Sequence, residues 1–413
     1  MLIEFKFKNF RSFKNETTFS MTAVKSFKEH IDSNFIDVNR PFKLLKSALV
    51  MGSNGGGKSN FTLAMNYMSN VIANSYKNSL VKVEERIDEN CQFKLSSETE
   101  NGNTMLEVSF IIWNKTDSQN EIFRYGYEIN NYQIKKEWLY RKVERESQLF
   151  FRDPENEIFD INSESFSEGE KYKDEVNANV LFISHLAQNN QLISRKIFEW
   201  FSSINVISGL HESFYSKYTA KLLKQDTRFK KWATNILRFL EITNLEADEN
   251  DGHVVTYHNK YDENNILIGS VPFKHDMESE GTNKLIHLLG PIYNTMKFGK
   301  ILYIDEFDSK LHPNLTKKLL LLFNKFNKNG AQIILTAHDT NLLDQKTLRR
   351  DQIWFVEKDQ FGVSDLYSLS EFNGRSVRNT SAIDIKYLDN KFGGAYLDEI
   401  DSNLLDLLYG EEN

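Results

Sequence analysis

Over the first sixty residues the apolar positions alternate and then run together. LIEFKFKNF (2–10) alternates with the period of a half-buried strand, and FKNETTFSMTA (13–23) is suited to pair with it as a hairpin. SALVM (47–51) is short and wholly apolar, the pattern of a central strand covered on both faces. After a run of glycines, SNFTLAMNYMSNVIANSY (59–76) sets Leu63, Ala64, Tyr67, Met68, Val71 and Ile72 at helical spacing. The local order is strand, glycine loop, helix.

Further along, the pattern changes three times. Between about 88 and 150, TMLEVSFIIW, IFRYGYEIN and YQIKKEWLYRKV are separated by Asn and Gly, which predicts an antiparallel meander. The acidic, polar stretch 152–179 reads as an exposed loop. From 190 to 245 the spacing turns helical, with aromatic anchors in KIFEWF and FKKWATNILRFLEI, and the hairpin VVTYHNKYDENNILIGSVPF follows. The remaining chain alternates a helix at 281–296, the strand KILYIDEF, a helix at 314–327, the strand AQIILTAH, a short helix and the strand DQIWFVEK. That alternation predicts a parallel sheet. Four segments are therefore expected: 1–87 and 278–413 as the two halves of an α/β core, 88–189 as a β-rich meander with its polar loop, and 190–277 as a helical insertion with a hairpin. No internal repeat or sustained heptad is found.

Composition narrows the function. With 413 residues and 40% hydrophobic content the chain can bury a sizeable core. Fifty-one basic against 58 acidic residues give a net charge of -7, so any nucleic-acid contact has to be local. Two basic stretches interleaved with aromatics, KKEWLYRKVER and KLLKQDTRFKKW, are the places for one, and a solvated amphipathic face is the alternative for each. The single cysteine, Cys91, excludes a disulfide within the chain and fits a reducing compartment as a small buried residue. The richest apolar run, LLLLF at 319–323, is bracketed by lysines and far short of the about 20 residues needed to span a bilayer. A cytoplasmic protein with no membrane contact is expected.

The glycine run, GSNGGGKSN from Gly52 to Asn60, decides between a phosphate cradle and a flexible turn that contains Lys58. Gly52, Gly57, Lys58 and Ser59 fit G-x-x-x-x-G-K-[ST], in which glycines let backbone N–H groups face phosphate oxygens, the helix adds its positive end, and Lys reaches the β and γ phosphates. Ser59 is then a ligand of Mg2+. Such a loop needs a carboxylate at the end of a neighbouring strand. KILYIDEFD supplies Asp305, placed to bind the Mg2+ through water, and Glu306, placed to polarise an attacking water. Ser279, Gly281 and Thr282 in DMESEGTNKLI start a helix about 25 residues before that strand, and His338 in ILTAHDTNLLD closes the next one.

In this order and spacing the motifs resemble the ABC-type ATPase cassette, whose phosphate loop Asn54 and Gly55 also match. The resemblance implies an α/β fold, an ABC-type P-loop NTPase core with an antiparallel β meander and a helical insertion. It implies ATP and Mg2+ as ligands, Gly52 to Asn60 as nucleotide-binding residues, Ser279–Thr282 as a signature loop closing over the ATP of a second subunit, and Asp308–His312 as the D-loop. Glu306 and His338 are then catalytic, the latter as a switch histidine at the γ phosphate. A sensor glutamine is expected before the helical insertion; Gln188 is the candidate, with Gln92 and Gln191 as rivals. ESEGT and DEFDSKLHP depart from transporter ATPases and, with NFRSF, resemble the branch containing SMC, RecF and OLD ATPases. The whole set is similar to AAA-labelled ATPase subunits of RloA-like, Septu-like and PARIS-like phage-defence modules. This implies a homodimer or higher oligomer and a separately encoded nuclease or toxin, since EFNGRSVRNTSAIDIKYLDNKFGGAYL shows no spaced carboxylate set. A repair ATPase acting directly on DNA and a nucleotide-gated scaffold with little turnover are the alternatives.

Overall fold

A computed structural model describes all residues except 39, 80–90, 114–119, 132, 210–211, 249–251, 373–382 and 394–413. Most of the C-terminal stretch expected to lack a nuclease carboxylate set therefore lies outside the described residues, as does Tyr132 of the third meander segment.

The predicted hairpin forms: β1 (Leu2–Lys8) pairs antiparallel with β2 (Thr17–Ser20), Phe5 opposite Phe19. The other edge of β1 takes β6 (Thr104–Trp113), and β7 (Asn120–Asn130), β8 (Gln133–Lys142), β9 (Glu146–Asp153) and β10 (Ile158–Ile161) continue outward. The result is one seven-stranded sheet ordered β10-β9-β8-β7-β6-β1-β2. The meander is thus joined to the first hairpin by its own ladder.

The second sheet, β11-β15-β16-β5-β17-β18, carries the chemistry. Its strands are β5 (Ser47–Gly52), β11 (Ile204–Ser208), β15 (Ile301–Asp305), β16 (Gln332–Ala337), β17 (Ile353–Lys358) and β18 (Ser364–Ser368). All neighbours pair parallel except β17 with β18. The alternation within β15 sends Ile301 and Tyr303 to one core and Leu302 and Ile304 to another. The first core holds α1 (Lys58–Ser79) between the two sheets, with Phe61, Ala64, Met65, Met68 and Ile72 packed on Phe5, Phe7 and Phe19. The second packs α5 (Ser216–Gln225), α6 (Thr227–Leu237), α7 (Glu280–Phe298) and α8 (Pro313–Phe326) on the opposite face. A hairpin of β13 (Val254–Tyr261) and β14 (Leu267–Phe273) forms as expected and gains β12 (Ile242–Ala247). A small ribbon of β3 (Phe35–Asp37) and β4 (Lys43–Leu45) precedes β5, and α9 (Ile383–Leu388) closes the second core.

The stretch expected to be an exposed loop is instead anchored. It contains β10 and α2 (Ser167–Glu170), buries Phe166, and uses the Glu168 carboxylate to accept the N–H groups of Ile193 and Ser194 at the start of α4 (Leu192–Ser202). A fully buried Glu137 does the same for α3 (Phe182–Gln188), accepting from Phe182 and Ile183 while pairing with Arg152 at 3.1 Å. Among the described residues no helix is long and apolar enough to cross a membrane. Cys91 is buried, as expected.

His287 on α7 is buried, its Nδ1 without a hydrogen-bond partner, and its ring stacks on His275 at 5.6 Å. Burial, with His275 and His253 nearby, pushes its pKa down to about 4. The unfolded chain therefore binds a proton below about pH 6.5 that the folded chain refuses, and folded stability falls as pH drops through that window, by up to about 1.4 kcal/mol per unit. His287→Gln is expected to lose roughly 2 kcal/mol less than the wild type between pH 7 and 4.5 in denaturant titrations. Equal acid sensitivity of the two proteins would contradict this assignment.

Candidate nucleotide site

Three adjacent parallel strands, β15, β16 and β5, end on one edge, and the loops leaving them meet there. β5 runs into the glycine loop, and α1 begins at Lys58. Gly57 has φ +126°, and a Cβ there would sit 2.5 Å from Ser364 Oγ, so a side chain is barred by both backbone and space. Ser364 in turn donates to Gly56 O at 2.7 Å, its Oγ lies 2.8 Å from Ser12 Oγ, and Asn60 donates to Ser12 Oγ at 2.8 Å. Ser12, in the turn between β1 and β2, and Ser364, at the start of β18, thereby brace the loop. Asn54, Gly55 and Ser59 stand exposed at its mouth.

Lys58 is buried and folds back over the loop, donating to Gly52 O at 2.7 Å and Ser53 O at 2.9 Å. Burial pulls its pKa down to about 8 against the opposing fields of Asp305, Asp308 and Glu306. Its Nζ lies 3.5 Å from His338 Nδ1, and burial together with that ammonium lowers the His338 pKa, which keeps the imidazole neutral at pH 7.

The carboxylates are held from β16. Thr336 Oγ1 donates to Asp305 Oδ1 at 2.5 Å and accepts the N–H of Glu306 at 2.8 Å. Glu306 has φ 51°, a conformation that costs a non-glycine residue about 1–2 kcal/mol, and these bonds offset it. Asp308 Oδ2 accepts from the N–H groups of His338 and Asp339 at 2.8 and 2.6 Å, so Asp308 fixes the main chain of the histidine. The donors at the mouth, the Ser59 hydroxyl and the Asp305 carboxylate, are hard oxygens of the kind Mg2+ takes beside phosphate. They fit that ion. His312, in contrast, caps α8, its Nδ1 accepting the Asn314 N–H at 3.2 Å.

Ser279 is the N-cap of α7, accepting from Thr282 N at 3.1 Å, and it is exposed. Gly281 is required by close approach, since a Cβ would meet Lys310 O at 2.6 Å. The signature-like loop thus leans on its own D-loop and turns its helix N-terminus outward.

Gln188 is not at this site. Ser184 donates to Ile72 O and His185 lies 6.3 Å from the Tyr76 ring, which sets α3 beside the far half of α1, about 20 Å along that helix from Lys58. Gln191 bonds Tyr172 and Asn189 on the same side. Gln92 does reach the loop: it lines an open hollow of about 460 Å3 with Arg11, Ser12, Asn60, Phe93 and Lys358, and its Oε1 is buried without a hydrogen-bond partner. Sequence order favoured the glutamine nearest the helical insertion, and the chain folds a different one back to the phosphate loop.

Neither basic stretch offers stacking aromatics. Trp138 donates to Glu107 at 2.7 Å, Arg141 pairs with Glu121, Phe229 is fully buried, and Trp232 rests on Tyr293. In the first stretch Trp138 and Tyr140 lie on the face opposite the buried Glu137 and Leu139, with the Tyr140 ring already covered by the Arg124 guanidinium at 4.0 Å, and in the second Phe229 points inward.

A family model described as AAA domain, putative AbiEii toxin, Type IV TA system matches residues 47–344. No curated protein matches the chain. Among solved structures, an SMC head domain from Thermotoga maritima is similar at 13% identity and TM-score 0.43, covering 89% of this chain and 98% of that one. An Smc head with an extended coiled coil bound to the C-terminal domain of ScpA, from Pyrococcus furiosus, is similar at 14% identity and TM-score 0.43, covering 95% and 99%.

Proposed function

This chain belongs to the family described as AAA domain, putative AbiEii toxin, Type IV TA system, and on that premise we propose that it is an ABC-type ATPase that dimerises around ATP and controls a separately encoded effector in anti-phage defence. One observation carries the ATPase part: the loop, Lys58, Asp305, Glu306 and His338 converge on one edge, while the capped N-terminus of α7 faces outward. Each chain holds half of a site and presents the other half.

On this reading the loop N–H groups and Lys58 receive the phosphates, and the neutral His338 contacts the γ phosphate. Ser59, and Asp305 through water, would hold Mg2+, whose charge would offset that of the phosphates. Glu306, fixed through its main chain, orients the attacking water. The N-terminus of α7 from the second chain donates to the same γ phosphate, so ATP joins the pair and hydrolysis releases it. The family's description names a putative toxin of a toxin–antitoxin system, which supports the defence setting; control of a separate nuclease or toxin is inferred from the resemblance to phage-defence ATPase subunits.

Mixing two inactive variants tests the shared site. Lys58→Ala disables the site on its own loop, and Ser279→Asp keeps the helix cap but opposes the partner's phosphates. A mixed pair retains one site with neither defect, so up to about a quarter of wild-type ATPase activity is expected from equal amounts: half of the pairs are mixed, and each has half its sites intact. Inactivity of the mixture would contradict a site built from two chains.

A further inference from the structure

Lys284 stands one turn into α7 from the signature-like loop and is fully buried. A buried ammonium on a helix that could hold leucine calls for a reason. Its Nζ donates to Glu306 O at 2.9 Å and to Gly209 O at 3.1 Å. Gly209, just past β11, donates its own N–H to Asp305 O at 2.6 Å. The lysine therefore ties α7 to the backbone of both acidic residues, at the one point where Glu306 is held at φ 51°.

Glu306 is otherwise held from β16, through Thr336 to its N–H, and by the N–H of Ser309, which donates to its carbonyl at 3.2 Å. The N–H belongs to the peptide unit before Cα and the carbonyl to the one after it, so contacts on both set the direction in which Cα–Cβ leaves the chain; of the two on the carbonyl, the shorter, charge-assisted one comes from Lys284. We propose that Lys284 is a positioning residue for Glu306: it aims the water-orienting carboxylate of its own chain from the same helix whose N-terminus binds the partner's ATP. The proposal rests on the shared-site reading and goes beyond it. One helix then serves two nucleotides, the partner's through Ser279 and its own through Lys284, and closure on one is felt at the other.

The two roles of α7 separate in mixtures. A lysine acting on its own Glu306 belongs to the same half-site as Lys58; a lysine that merely supports the helix N-terminus belongs with Ser279. Lys284→Met, which keeps the unbranched stem, is expected to bind ATP within about twofold of wild type and to lose at least about tenfold in kcat, with KM little changed. Mixed with Ser279→Asp it should regain activity, because one site then has an intact loop, an intact Lys284 and an intact partner helix. Mixed with Lys58→Ala it should stay inactive. Recovery with Lys58→Ala, or with neither variant, would overturn the proposal, as would a kcat equal to wild type. If Lys284→Met fails to bind ATP, Lys284→Gln, which keeps a donor, replaces it in the same mixtures with the same expected pattern. The pair Lys58→Ala with Ser279→Asp is the control: its failure counts against the shared site itself, and the kcat of Lys284→Met alone then still decides whether the lysine positions Glu306.

Discussion

Lys58→Ala is expected to weaken ATP binding by about a hundredfold or more, roughly 3 kcal/mol, without unfolding the chain. The ammonium is buried at 5% exposure among three carboxylates and donates to Gly52 O and Ser53 O. Alanine leaves those two carbonyls at a loop whose remaining braces, Ser12 and Ser364, are untouched, so the loss falls on the ligand. Equilibrium titration with ATP reads it, and thermal unfolding should shift by a few degrees at most. Unchanged affinity would show that the phosphates sit elsewhere.

Glu306→Gln is expected to lower kcat by about a hundred- to ten-thousandfold while ATP binds as before. The substitution preserves the bonds that hold the residue, because Thr336 and Lys284 engage its main chain and not its carboxylate. Only the capacity to accept a proton from water is removed. Single-turnover measurement on preloaded ATP separates this from a binding defect. Turnover near the wild-type rate would move the role of base away from Glu306.

How far the sequence reached can be seen at particular residues. The strand, glycine loop and helix were legible from β5 through α1 because their signals are local: an apolar run, glycines at fixed offsets, and apolar positions at helical spacing. Asp305 and Glu306 were legible for the same reason, at the end of four apolar residues. β11 was not. It is an edge strand with mostly half-buried positions, and its partner β15 lies almost a hundred residues further on, so nothing in its five residues distinguishes it from the end of a helix. The polar stretch 152–179 misled because its outward carboxylates dominate the composition, whereas Phe166 and Glu168 do the anchoring. Gln188 was chosen by order along the chain, and order does not report that α3 packs four turns down α1. Ser12 and Lys284 belong to motifs that were read, NFRSF and SEGTNKL, and Ser364 to a strand that was not, and the contacts of all three are non-local. A helix period can place Lys284 on the inner face; only the fold brings it to Glu306 O.

The central claim is that ATP holds two chains together through one chain's loop and the other's α7. Sedimentation velocity of Glu306→Gln with ATP and Mg2+ addresses it most directly, since the slowed variant keeps the nucleotide intact for the length of the run. A dimer or larger assembly is expected with ATP, and dissociation to monomer with ADP or when Ser279→Asp is added to the same chain. A monomer in saturating ATP, or an assembly of the same size with ATP, ADP and no nucleotide, would contradict the claim.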